Sequence, residues 1–486
     1  MRAGAVASAL LAGALVAAAC TDPPTTGSGA VAGSVTPDNL PECPVHALDD
    51  ATGPVHIDLW YGGLGGTTQK TMEDIVARYN RSQDRVVVRA SNRGAAYQEV
   101  NRAFEEAASA DKSQLPDIVY LEDIQLASTV GTGLVLPAQA CMKADGYDMT
   151  QLEPAARAEY SISDVLYPGY MNVSTPVLYY NQAHFAKAGL DPSKPPRTLQ
   201  EVYEAARKIK DAGVAPKPLA LKTDRWWLES WLTGVGDDIV NHDNGRSAAP
   251  TKATFATPAA EDTLALLQKM NEQGLLNGFA NTEGSFDDFL ALVTQQSSMV
   301  IGTSTAATTI RDALSGQITA GDAGVDVGAS VLDSKAIVPG SAQFPGIEQP
   351  GKVLTSGGAF YMLNPSKRVE QAAAWDFLKY MLRPDVAAQW HTSGGYLPVV
   401  KAVNDEPDVQ RFRRDDVAGI LLQPALEQFA RADPDRPGPL IGPYPDEVTA
   451  IEDAMQEVLF NGESPRAALR RAQATVTASL QRYLGR

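Results

Sequence analysis

Strand-like and helix-like apolar periods alternate along the first third of the chain. Val55-His-Ile-Asp-Leu-Trp-Tyr61 carries apolar residues at every second position, the period of a half-buried strand. Gly62-Gly63-Leu64-Gly65-Gly66 reads as a turn. Thr67 or Thr68 is then expected to cap a helix in which Met72, Ile75, Val76 and Tyr79 recur at helical spacing. Arg85 to Ala90 predicts a second strand, Ala95 to Ala110 a second helix and Asp117 to Leu121 a third strand. This β-α-β-α-β order implies α/β architecture, with a parallel sheet and right-handed crossovers. In such sheets ligands sit beyond the carboxyl ends of the strands. Trp60, Tyr61, Glu122 and Asp123 stand there. The glycine-rich turn lacks the third glycine of a dinucleotide fingerprint, since Thr68 occupies that place. Further on, Thr198, Thr257-Pro258, Ser366 and Ser464-Pro465 each read as helix starts.

The N-terminus fixes the expected compartment. Ala3 to Ala19 carries no charge and follows Arg2; it is short for a membrane span and suits a signal-peptide core. Val16-Ala17-Ala18-Ala19-Cys20 resembles a lipobox, in which Cys20 is acylated. Residues 1–19 are thus assigned to the signal peptide. Residues 20–54 are assigned to the lipidated Cys and a tether whose Thr21–Pro41 part is rich in Thr, Pro, Gly and Ser. Lipidation leaves Cys43 and Cys141, and outside the cell a remaining pair is most simply a disulfide.

Composition narrows the function. The 486 residues hold 41 Lys plus Arg against 58 Asp plus Glu, a net charge of −17, which argues against a nucleic-acid partner. With 5 His and 3 Cys, a dense metal site is not expected, and no cofactor is called for. Asp322-Ala-Gly-Val-Asp326 lacks the spacing of a calcium loop and reads as a polar turn.

Specific blocks then carry a resemblance. Asn172-Val-Ser-Thr-Pro-Val-Leu-Tyr-Tyr-Asn181, Phe185 to Pro192, Pro195-Pro-Arg-Thr198, Leu354 to Tyr361, Ala388-Gln-Trp-His391 and Gly395-Tyr-Leu-Pro398 resemble the extracellular solute-binding proteins of ABC importers. The likeness is to the sugar-binding family that includes the maltose-binding type, and within it to the glycerol-3-phosphate-binding subfamily. The resemblance implies two α/β lobes around a hinged cleft in a periplasmic-binding-protein-like fold, discontinuous in sequence. Lobe one would take residues 55–172 and 350–395, and lobe two residues 176–345 and 398–486. It also implies ligand-binding roles for Tyr97, Glu122, Ser174, Thr303, Gly358 and Tyr396, with Trp226 or Trp227 as a cleft aromatic. Trp375 and Trp390 are assigned to packing.

One departure bears on the ligand. The subfamily holds its phosphate with an Arg after a Gly-x-x-Pro turn; here Gly442-Pro-Tyr-Pro-Asp-Glu-Val448 puts Val448 in that place. A buried phosphate without a cationic partner is costly. Arg93 or Arg225 would have to replace it. The remaining aromatic, carboxylate and hydroxyl residues suit a saccharide. The expected function is therefore capture of a carbohydrate, without catalysis, by a monomer lipid-anchored on the extracytoplasmic face of the membrane. The monomer would deliver to ABC permease subunits. The alternatives are a glycerol-3-phosphate or glycerophosphodiester ligand, a structural or adhesive lipoprotein, and a secreted glycoside hydrolase. The hydrolase needs two carboxyls flanking one bond, whereas the side chains of the neighbours Glu122 and Asp123 are expected to diverge.

Overall fold

The structure, a computed structural model, describes residues 35–282, 285–316 and 337–485. The strands of its two main sheets are, in chain order, β1 (Val55–Tyr61), β2 (Val86–Asn92), β3 (Ile118–Glu122), β4 (Val135–Leu136), β5 (Tyr170–Met171), β6 (Pro176–Asn181), β7 (Leu219–Lys222), β8 (Leu276–Phe279), β9 (Met299–Thr303), β10 (Pro339–Gln343) and β11 (Gly358–Leu363). One sheet runs β2-β1-β3-β11-β4 with β5 also on β11; the other runs β8-β7-β9-β6-β10. The helices that matter for the site are α1 (Gly66–Ser82), α2 (Tyr97–Ala110), α3 (Arg225–Val235), α4 (Pro384–Gly394) and α5 (Tyr444–Asn461).

The β-α-β-α-β reading holds in the first sheet: β1 lies parallel to both β2 and β3. The sheet as a whole is mixed, because β11 returns from far along the chain and pairs antiparallel with β3. In β1 the alternation works as written. Ile57, Leu59 and Tyr61 are buried, while Trp60 faces the other way and is half-buried. Helix α1 buries Met72, Ile75, Val76 and Tyr79 against this sheet. Its N-cap is Gly65, not a threonine. Thr67 and Thr68 sit in the first turn instead. Thr67 Oγ1 donates to Asp312 at 2.8 Å and Thr68 Oγ1 to the Gly394 carbonyl at 3.3 Å. Thr198 and Thr257 do cap, accepting from the amides of Glu201 and Ala260. The helix expected from Ser366 begins at Arg368, where the Glu370 carboxylate accepts from the Lys367 amide at 2.8 Å.

The chain crosses between the sheets at Val173–Thr175, at the segment leading into β11, and beyond α4. These passages lie side by side. The Ser174 amide donates to the Ser356 carbonyl at 2.8 Å, the Ser356 amide returns to Ser174 at 3.1 Å, and the Leu397 amide donates to Val173 at 2.7 Å.

Cys43 and Cys141 form a disulfide with an S–S length of 2.00 Å. Residues 35–54, marked as tether by sequence, lie against the body: Cys43 and Leu48 are buried, and Glu42 pairs with Arg368. Cys20, the signal segment and Asp322–Asp326 lie outside the described residues. Among the described residues no helix is long and apolar enough to cross a membrane, and no cluster of metal-ligating side chains is present.

Candidate functional site

Strand β3, the start of α2, the residue after β5, helix α4 and the passage around Tyr396 bring five polar aromatic or amide groups together. Tyr97 is the first residue of α2, and its hydroxyl shares a hydrogen bond with the Tyr120 hydroxyl at 3.1 Å. Asn172 Nδ2 donates to Tyr120 Oη at 2.8 Å, while Asn172 Oδ1 accepts from Trp390 Nε1. Tyr396 stacks on Trp390 with centroids 5.8 Å apart and planes 8° apart, and its hydroxyl reaches Tyr97, Tyr120 and Asn172. Burial among these rings pushes the Tyr97, Tyr120 and Tyr396 phenols up, so all three stay neutral hydrogen-bonding groups. Glu122, the last residue of β3, adds its negative charge beside Tyr97 and Tyr396. Two glycines make this packing possible. A Cβ on Gly358 would fall 2.2 Å from the Tyr120 ring, and one on Gly63, whose φ is +68°, would fall 2.7 Å from the Tyr97 ring.

Asp123 points elsewhere than Glu122. It accepts from Ser356 Oγ at 3.0 Å, and its amide donates to the Gly357 carbonyl at 2.8 Å. Desolvation lifts its carboxyl to about 7, opposed by the positive charge of Arg225 from the other lobe. Tyr160 Oη donates to the same Gly357 carbonyl at 2.8 Å. Ser174 Oγ donates to the Ser356 carbonyl at 2.9 Å. Next to it, Ser304 Oγ accepts from the Thr175 amide at 3.2 Å, and Thr303 Oγ1 lies 3.1 Å from Thr305 Oγ1.

The wall from the second sheet is α3. Asp224 caps it, accepting from the Trp226 amide at 2.9 Å. Trp226 and Trp227 stack 5.2 Å apart; Trp226 Nε1 donates to the Leu354 carbonyl at 3.1 Å, while the buried Trp227 Nε1 has no protein partner. Arg225 pairs with Glu229, and Tyr444 Oη donates to Glu229 at 2.9 Å. Arg246 lies 3.4 Å from Glu159 and also donates to the carbonyls of Gly438 and Ser161. Asp123, Glu159, Arg225, Arg246, Leu354 and Tyr444 enclose a cavity of about 10 Å³, room for a single water. The lobes therefore meet closely. A larger groove of about 760 Å³ between Pro195–Arg197 and Pro424–Arg431 shares no residue with this site.

The structure thus gathers Tyr97, Glu122 and Tyr396 in one cluster, with Gly358 beneath Tyr120. Asp123, Ser174 and Thr303 gather at or beside the crossings, and Trp226 and Trp227 on the facing wall. Two residues expected in the site are engaged otherwise. Tyr61 shares the inward face of β1 with Leu59 and donates to Glu73 at 3.0 Å. Trp60 lies under the Arg93 guanidinium, 3.8 Å from its ring centroid. Trp390, assigned to packing, is buried and also part of the hydrogen-bonded cluster. Tyr120, Asn172, Tyr160, Glu229 and Tyr444 were not singled out from sequence. The signal that marks them is a polar tip inside an otherwise apolar stretch, as in Ile118-Val-Tyr-Leu121 and Tyr170-Met-Asn172.

Comparison with known proteins places these features. The chain matches the model of the bacterial extracellular solute-binding protein family over residues 74–415. It is 23% identical over 446 residues, 90% of this chain and 95% of the relative, to the sn-glycerol-3-phosphate-binding periplasmic protein UgpB of Shigella dysenteriae. UgpB from Mycobacterium tuberculosis, solved in complex with glycerophosphocholine, superposes with a TM-score of 0.70 at 18% identity, covering 89% of this chain and 99% of that one. The cyclic alpha-maltosyl-1,6-maltose binding protein from Arthrobacter globiformis gives 0.67 at 23% identity, covering 88% and 100%. With the two-lobed fold, the paired crossings and the match over most of its length, the chain belongs to the bacterial extracellular solute-binding protein family.

Proposed function

We propose that this protein is the extracytoplasmic binding subunit of an ABC importer, that it captures a saccharide between its lobes, and that it performs no chemistry on it. The observation that carries the ligand class is the state of the arginines. Arg225 is committed to Glu229 and Arg246 to Glu159 and carbonyls, while Arg93 is exposed and rests its face on Trp60. Val448 packs against the apolar core at the place where the resemblance calls for an arginine. Arg225 and Arg246 are both paired with carboxylates, so neither of these cavity-lining guanidiniums is free to hold a phosphate dianion, which needs one when buried. What remains is a set of neutral phenols, an amide, hydroxyls and carboxylates beside indole faces. These match the hydroxyls and the apolar face of a sugar ring.

The lobes must part to admit a sugar, because the cavity between them holds about one water. Capture by hinge closure follows. Glu122 and Asp123 face different neighbours, so they do not flank one bond as hydrolysis requires. Thioether-linked lipid on Cys20 tethers the mature chain, which acts as a monomer and delivers its ligand to membrane permease subunits.

The test is a thermal-shift screen of the mature protein against glucose, maltose, trehalose, sn-glycerol-3-phosphate and glycerophosphocholine. A ligand at 100 times its Kd stabilises the fold by about 2.7 kcal/mol. A raised midpoint with a saccharide and unchanged saccharide on recovery is expected. A response to sn-glycerol-3-phosphate alone, or release of cleavage products, overturns the reading.

A further inference from the structure

Asp123 and Glu159 line the cavity between the lobes together with Arg225 and Arg246. Behind Arg225 and Tyr444 lie two more carboxyls, Glu229 and Glu447, both fully buried. Glu447 is the extreme case. It is on α5, one turn after the cavity-lining Tyr444, and is fully buried. Neither carboxylate oxygen has a donor in the protein. Facing it are Glu229 and Arg225 from α3, with Tyr444 and Glu452 on its own helix. Arg225 is already taken by Glu229, so Glu447 is left as a second carboxyl on one guanidinium. Burial, with the charge of Glu229, pushes its carboxyl well above the usual range, which favours the protonated acid in this arrangement. A buried acid kept for stability alone would be better replaced by an apolar residue. A carboxyl pair with one guanidinium between them, one member on the helix that also carries the stacked Trp226 and Trp227, is complementary to a ligand ammonium group.

We propose that Glu447, with Glu229, forms an ammonium subsite, so that the preferred ligand is an amine-bearing polyol such as an amino sugar. This rests on the reading of the cleft as a saccharide site. On binding, Glu447 gives its proton to solvent and the ligand ammonium takes its place between the two carboxylates. The ligand keeps all its own protons, and no covalent bond is made or broken.

The test uses matched pairs on the full mature chain: D-glucosamine against D-glucose, and glycerophosphoethanolamine against sn-glycerol-3-phosphate. Calorimetry in two buffers of different ionisation heat reads the proton count. The expected result is that the amine member of a pair binds about 30-fold tighter, the size of a buried charge partner, with release of close to one proton. Glu447→Gln keeps the side-chain shape and removes the charge; it should melt at or above the parent midpoint and lose the amine preference. Equal or tighter binding of the members without an amine overturns the subsite, and where that member is D-glucose the saccharide reading stands. An amine preference that survives in E447Q also overturns it. If neither these pairs nor the neutral sugars bind, the saccharide reading fails first and the subsite with it.

Discussion

Asn172 is the pivot of the aromatic cluster, and replacing it gives a sharp test of the geometry. The residue is fully buried. Its Nδ2 donates to Tyr120 Oη at 2.8 Å, and its Oδ1 accepts from Trp390 Nε1. Asn172→Leu keeps approximate volume, excludes water and removes both bonds. Trp390 Nε1 is then buried without an acceptor, while Tyr120 retains Tyr97 and Tyr396. A buried polar group left unsatisfied costs about 1–3 kcal/mol, so one full and one partial loss should total about 3 kcal/mol. With a urea slope near 3 kcal/mol per molar, the midpoint falls by about 1 M at unchanged slope. Adding Tyr120→Phe removes the second stranded group. The double variant should therefore lose less than the sum of the singles, with a coupling of about 1 kcal/mol. A loss below about 1 kcal/mol for Asn172→Leu, or strict additivity with Tyr120→Phe, would refute the idea that this amide holds the cluster together.

Three further outcomes are expected from the packing, the disulfide and the charges. Gly358→Ala drives a methyl into the Tyr120 ring, where 2.2 Å is available; overpacking should cost at least 1–3 kcal/mol, and a variant melting like the parent would contradict the close approach. Removing the disulfide with a Cys43→Ala, Cys141→Ala pair frees a loop spanning 98 residues; the chain-entropy model gives about 4.7 kcal/mol for such a loop, to be read from urea unfolding, and a loss under 1 kcal/mol would show that the N-terminal segment is pinned by packing instead. Asp123 is raised to about 7 by desolvation, so between pH 4 and 7 its folded form holds a proton that the unfolded chain has lost. Its contribution therefore weakens as pH rises through that window, and Asp123→Asn should gain on the parent as pH goes from 4 to 7. A gap between the two that is flat with pH would contradict the desolvation.

The first sheet was legible because period-two and helical spacings alternate cleanly from Val55 to Leu121, and those periods depend only on neighbouring residues. What stayed hidden depends on partners far along the chain. No local pattern announces that β11 comes back to lie beside β3, or that Tyr120 in an apolar strand meets Asn172 and Trp390. Thr67 and Thr68 look like caps in isolation, but Asp312 and Gly394 attract their hydroxyls instead. Strand alternation does separate Trp60 from Tyr61, since residues 57, 59 and 61 must share one face. The Tyr97, Glu122 and Tyr396 positions came from the family resemblance, and the structure brings these three together. The acid-rich wall of Glu229 and Glu447 lay beyond sequence reasoning, because helix spacing alone does not show which two helices touch.

The reciprocal amide bonds between Ser174 and Ser356, with Leu397 on Val173 beside them, amount to a narrow stitched seam. A seam so short twists easily but resists stretching and sliding. Any opening must accordingly turn about it as an axle, with little travel near Asp123 and long travel at the rim. Ligand groups seated beside the axle would feel their partners first and lose them last, whereas those toward the rim are reached only in the final degrees of rotation.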